Sequence, residues 1–222
     1  MHVGRVMKKE LVTIPPTLSL NDAMAIIREK DIDHLLVVDS RNKLVGIVSD
    51  RDLKKSMASP ATTLSKHELN YLLEQAQVDA IMVKRIIAVT PATTIERAAR
   101  IMQQNNISSL PVMEGDKLVG IITTTDVMEV LLQAIGMDAD SVRFTVLVKD
   151  RVGVMADICT LLRDNHISIS SLVTWREAGH SDLYQLIMRV PAGDGDRAMS
   201  LLKEAGFQVL TEYVKDVSAY LK

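Results

Sequence analysis

Apolar and polar positions along this chain follow one scheme twice and then a different one. Apolar residues at 23, 24, 26 and 27, and again at 98, 99, 101 and 102, recur at helical spacing and predict two helices, each with one buried face. Each helix opens on a capping signal, Ser19 three before Asp22 and Thr93 three before Glu96. Two short apolar runs follow each helix. Leu35–Val38 and Leu44–Val48 flank the polar turn Asp39-Ser40-Arg41-Asn42, while Leu110–Met113 and Leu118–Ile122 flank Glu114-Gly115-Asp116, so both pairs read as strands joined by a turn. A last helix begins near Asp50 and near Thr124, and the second of these ends at Gly136, a residue suited to a helix C-terminus.

These are two copies of one unit. A slide of 75 positions lays Val6-Met7 on Ile81-Met82, Pro16 on Pro91, Ile26-Ile27 on Ile101-Met102 and Val37 on Val112. One residue is then lost in a turn, and a slide of 74 lays Lys43–Val48 on Lys117–Ile122 and Asp52 on Asp126. Each copy reads as βαββα behind a lead-in segment that stops at proline. Copy one is expected over 1–58 and copy two over 80–135. A connecting helix is expected over 59–79, opened by the capping box Ser65-Lys66-His67-Glu68 and carrying Leu69, Leu72, Leu73 and Ala76.

Beyond a polar linker at 136–141 the pattern changes. Val142, Phe144, Val146 and Val148 alternate as a strand; Val154, Met155, Ile158, Cys159, Leu161 and Leu162 follow helical spacing; Ile167, Ile169, Val173 and Trp175 alternate again. Ala178-Gly179-His180 turns the chain into Tyr184, Leu186, Met188 and Val190, a helix carries Ala198, Met199, Leu201 and Leu202, and Phe207 and Val209 begin a final strand. Residues 142–222 thus read as βαββαβ, the ferredoxin-like order, and the whole chain as α+β.

Composition narrows the function. With 222 residues, 47 % apolar and 24 % charged, two globular domains are expected. Lys plus Arg number 26 against 28 Asp plus Glu, spread evenly, and aromatics are 3 %, so the basic face and stacking residues of a nucleic-acid binder are missing. No apolar run has the length of a signal peptide or a membrane span, and the expected setting is the cytoplasm, away from membranes. The single Cys159 excludes an intrachain disulfide and is expected on the packed face of its helix. His2, His34, His67, His166 and His180 show no metal-binding spacing, and no nucleophile–base set or P-loop appears, so neither a metal site nor catalysis is expected.

Chemical content concentrates in Gly46-Ile47-Val48-Ser49-Asp50-Arg51-Asp52 and its copy Gly120-Ile121-Ile122-Thr123-Thr124-Thr125-Asp126. Each puts a hydroxyl where a strand passes into a helix, beside free backbone N–H groups that attract an anion, and a carboxylate one turn on that suits a ribose diol. The same spacing is also a helix capping box that needs no ligand.

These segments, with Ile107-Ser108-Ser109-Leu110-Pro111-Val112 and the duplicated βαββα unit, make residues 1–135 resemble a tandem pair of cystathionine-β-synthase (CBS) domains. The resemblance implies a non-catalytic regulatory protein that binds AMP, ADP, ATP or S-adenosylmethionine, with magnesium as a companion of the phosphates. It implies phosphate contacts from Ser49 and Thr123, ribose contacts from Asp52 and Asp126, and an adenine pocket along Thr13-Ile14 and Thr90-Pro91. Arg51 offers a phosphate contact that Thr125 cannot, and His34-Leu35-Leu36 replaces Ser109-Leu110-Pro111, so the two pockets are not alike. Residues 142–216 resemble an ACT domain, which implies small-molecule or amino-acid sensing at Asp150, Val152 and Gly153. The whole chain is similar to the acetoin-utilization B type proteins. That resemblance implies a homodimer through both domains and a regulated partner protein. The alternative is a ligand-free scaffold whose domains serve only oligomerisation or docking.

Overall fold

The computed structural model describes residues 1–56, 74–137, 140–180 and 182–217. Most of the expected connecting helix, with its capping box at Ser65–Glu68, lies outside them. The chain divides into two compact units, Met1–Met128 and Glu129–Lys222.

The first copy contains β1 (Thr13–Ile14), α1 (Leu20–Lys30), β2 (His34–Val38), β3 (Leu44–Ser49) and α2 (Asp50–Ser56). The second contains α3 (Ile95–Asn105), β4 (Ser109–Glu114), β5 (Lys117–Thr123) and α4 (Thr124–Ala134). Ser19 caps α1 as expected, its Oγ accepting the Asp22 N–H at 3.1 Å. At α3 the expectation is off by one residue. Thr94 is the cap, accepting the Arg97 N–H at 3.3 Å, because the Thr93 hydroxyl is used to close the turn after Pro91 by accepting the Thr90 N–H at 3.1 Å.

The βαββα unit is complete in the first copy, where β1 runs parallel to β2 and β2 antiparallel to β3. In the second the lead-in contributes a single parallel bridge, Val89 with Val112, the counterpart of Ile14 with Val37. The cause is one residue. Leu36 donates its N–H to the Val12 carbonyl at 3.3 Å, and its counterpart Pro111 has no N–H to donate.

The two copies exchange their lead-in segments. Lys8 bridges Ile121 of the second copy and Val83 bridges Ile47 of the first, while His2 pairs with Thr94 and Gln77 with Ser19. This exchange explains the motif glycines. A Cβ on Gly46 would lie 2.4 Å from Met82 Sδ, and one on Gly120 would lie 2.5 Å from Met7 Sδ. Ile14, Leu20, Ala23, Ile27, Leu35, Val37, Val48 and Leu53 form the core of the first copy, closed by Val78.

The second unit holds β6 (Ser141–Lys149), α5 (Val154–Asp164), β7 (Ser171–Arg176), β8 (Leu183–Pro191), α6 (Gly195–Glu204) and β9 (Gln208–Leu210). Its sheet order is β7-β8-β6-β9, all antiparallel, which is the expected ferredoxin-like arrangement. Phe144, Val146, Val148, Ile158, Leu162, Met188, Ala198 and Leu202 form its core.

Two expectations fail here. Cys159 is exposed, as is Met155, because Ile158 and Leu162 define the buried line of α5 and residues 155 and 159 fall to one side of it. Trp175 is 63 % exposed on the outer face of the sheet. Strand β7 begins only at Ser171, so the parity counted from Ile167 does not carry through. Pairing of Leu172 with the buried Met188 sets Leu172 against the core instead, and Trp175 falls on the opposite face. Among the described residues, no helix is long and apolar enough to cross a membrane.

Candidate functional site

Both Gly-x-x-[Ser/Thr]-x-x-Asp segments fold as the same junction. The Asp50 N–H donates to the Asp33 carbonyl at 2.9 Å, and the Thr124 N–H donates to the Ser108 carbonyl at 2.9 Å, so each strand end is fastened to the residue ahead of its own hairpin. Each hydroxyl and carboxylate then closes a capping box. The Asp52 N–H donates to Ser49 Oγ at 3.2 Å, and Asp52 Oδ2 accepts from the Ser49 N–H at 3.0 Å and from Ser49 Oγ at 2.5 Å. The corresponding distances in the second copy are 3.3, 2.7 and 2.7 Å.

The copies differ in what happens to the second carboxylate oxygen. Lys8 Nζ stands 3.8 Å from Asp126 Oδ1, whereas the lead-in residue equivalent to Lys8 beside Asp52 is Val83, which brings no charge. Asp52 Oδ1 has no ion pair or hydrogen bond among the described residues.

Asp52 opens into a cavity of about 510 Å³ built from both copies. Of the residues expected at a ligand, His34, Ser49, Arg51, Asp52, Ser109, Pro111, Thr123 and Thr125 line it. Thr13, Ile14, Thr90, Leu110 and Asp126 do not; Ile14 and Leu110 are core residues. The lead-in wall comes instead from Val83, Arg85, Ile86 and Ile87, and Lys55 lies at the rim. Similarity between the copies marks these positions as equivalent to residues 8–12, but it does not say that each lead-in faces the other copy's helix. The apolar lead-in residues Ile81, Val83 and Ile86 keep no single spacing, so periodicity alone does not mark the wall.

His34 Nε2 lies 2.9 Å from Ser108 Oγ across the copies. Burial pushes its imidazole below the ordinary histidine value, Asp33 and Asp52 pull the other way, and Arg51 adds to the lowering. The ring thus sits in the cavity wall with a preference for its neutral form.

In the second unit a cavity of about 480 Å³ lies where β6 passes into α5. Asp150 and Gly153 line it, together with Arg151, Thr174 and Tyr184; Val152 is fully exposed and does not. Gly153 has φ +90°, with open space where a Cβ would stand, so the turn itself requires glycine. Arg151 is paired with Asp157 at 2.5 Å. Among the described residues no three His, Cys, Asp or Glu side chains gather as a metal site.

The family model of the CBS domain matches residues 3–59 and 78–133, more than half of the chain. The chain belongs to the CBS-domain family. The ACT-domain model matches residues 142–206, so a CBS pair is followed by a C-terminal ACT domain. Over 131 residues the chain is 31 % identical to a homoserine O-acetyltransferase of Methanohalobium evestigatum, which covers 59 % of this chain and 24 % of that enzyme. The chain therefore spans about a quarter of that relative's length. A CBS domain-containing protein of Dictyostelium discoideum is 28 % identical over 134 residues, covering 60 % of this chain and 92 % of that one.

Among solved structures, one assigned to acetoin utilization (AcuB) from Vibrio cholerae has 30 % identity and a TM-score of 0.51, covering 62 % of this chain and 95 % of that one. The CBS pair of protein MJ0100, in complex with 5′-methylthioadenosine and S-adenosyl-L-methionine, has 25 % identity and a TM-score of 0.50, covering 59 % of this chain and 95 % of that one.

Proposed function

We propose that the CBS pair is the sensing part of a regulatory protein and that it holds an adenosine compound in the cavity beside Asp52. The observation that carries this reading is the Asp52 carboxylate, anchored through Oδ2 and unpaired at Oδ1, facing a cavity of about 510 Å³ walled by both copies. A carboxylate fixed in this way is positioned to accept two hydrogen bonds from a ribose diol. The adenosine ligands of the MJ0100 pair support the same ligand class. Magnesium would arrive on the nucleotide phosphates rather than in a site of the protein's own.

The second sensing site is the cavity beside Asp150 and Gly153 of the ACT domain, for a small molecule of the amino-acid type. Ligand-dependent ordering of either cavity then biases docking of a partner protein, within a cytoplasmic homodimer formed through both domains. The AcuB relative supports a regulated step connected with acetoin use.

The closed capping boxes favour a second reading, a scaffold that binds no ligand. Thermal melts and titration calorimetry with AMP, ADP, ATP and S-adenosylmethionine separate the two. The sensing reading expects heat of binding and a raised melting temperature, both lost in Asp52→Ala. A wild-type protein silent toward all four compounds leaves only the scaffold.

A further inference from the structure

Three cations line the cavity at the first-copy site: Arg51, Lys55 and Arg85. Arg51 and Lys55 stand one turn apart on α2 and share a face. Arg85 arrives from the other copy, two residues beyond Val83, whose backbone bridges Ile47. All three are exposed, and among the described residues none has an ion-pair partner.

The acids around them are accounted for differently. Asp50 is held by Lys54 at 2.5 Å, and Asp52 Oδ2 is taken by the Ser49 amide and hydroxyl, which leaves Asp33 as the one lining carboxylate outside any such contact. Like charges gathered at one cleft repel until an anion arrives, and a chain of phosphates spreads several negative charges over the distance between them.

The duplication supplies a control inside the same sequence. By sequence the residues equivalent to Arg51, Lys55 and Arg85 are Thr125, Glu129 and Glu10, so the three cations of one copy are replaced in the other by a hydroxyl and two acids. There Lys8 also stands beside the equivalent carboxylate, Asp126.

Building on the adenosine reading above, we infer that the two nucleotide positions are unequal by charge: the Arg51–Lys55–Arg85 cleft selects an adenosine carrying two or three phosphates, and the equivalent position takes none. The preferred ligand class is therefore a nucleoside di- or triphosphate, one per chain. S-Adenosylmethionine, whose sulfonium is positive, meets three like charges and binds less well.

The test is calorimetric titration of the full chain with ATP, ADP, AMP and S-adenosylmethionine at low salt and without magnesium. ATP and ADP are expected to bind about tenfold more tightly than AMP, with one site per chain, since each exposed charge contact is worth up to about fivefold and the added phosphates reach at least two of the cations. The double variant Lys55→Gln/Arg85→Gln should bring ATP to the level of AMP while AMP itself moves by less than about threefold. Both side chains are exposed, and an unchanged melting curve verifies that the variant folds. AMP or S-adenosylmethionine binding as tightly as ATP, two ATP per chain, or equal losses for AMP and ATP in the variant would each overturn the inference and leave the adenosine reading standing. Silence toward all four compounds overturns both.

Discussion

His34 Nε2 and Ser108 Oγ, 2.9 Å apart, join the first strand of one copy's hairpin to the residue ahead of the other copy's hairpin. This contact has no counterpart by duplication, because the residue equivalent to His34 is Ser109. It places the His34 ring in a contact between the two copies at the cavity wall.

Stability should therefore depend on pH through this ring. Its folded pKa is lowered from 6.5 chiefly by burial, so the folded state favours the neutral form. The stabilisation is fully present above the unfolded value and is lost as pH falls through the lowered folded value. Urea unfolding at pH 7.5 and at pH about 5 should show wild type losing more stability than His34→Gln. Identical losses in the two proteins would remove His34 from the account.

The motif glycines should prove to be packing residues. Gly46→Ala places a Cβ 2.4 Å from Met82 Sδ, and the thioether must turn away, at a cost of about 1–3 kcal/mol. Met82→Ala in the same chain opens that space, so the double variant should lose less than the two single losses added together. Additive losses would mean that the clash is relieved elsewhere.

The two acids should separate in function although they close the same box. Asp126→Ala is expected to cost about 0.5–2 kcal/mol through loss of its capping box with Thr123 and to leave nucleotide affinity within about twofold, because Asp126 does not line the cavity and Lys8 stands 3.8 Å from its second oxygen. Asp52→Ala should cost a similar amount and abolish binding. Denaturant curves and calorimetry on both variants measure each effect, and loss of binding in Asp126→Ala would move the site to the other copy.

Much of the fold was legible because the hydrophobic pattern repeats. The buried residues of α1, both hairpins and the Ser19 cap follow directly from periodicity and spacing. The Gly-x-x-[Ser/Thr]-x-x-Asp pair marked the correct junctions, and eight of the residues expected at a ligand meet in one cavity. What stayed hidden depends on contacts between segments remote in sequence. The exchange that brings Arg85 and Ile87 to the Asp52 cavity is a pairing choice, and two similar copies look the same with or without it. Trp175 and Cys159 were misplaced for a related reason. A strand's inward face is fixed by its partner β8, and a helix's buried line by the sheet beneath it, so parity and spacing within one element leave the final rotation open.

A crystal structure of the protein grown with ADP decides whether Asp52 holds a ribose. The ribose hydroxyls are expected within about 2.7–3.2 Å of the Asp52 carboxylate, with the phosphates directed toward Arg51, Lys55 and Arg85. Density for water alone in that cavity, with Asp52 still closed only on Ser49, would contradict it.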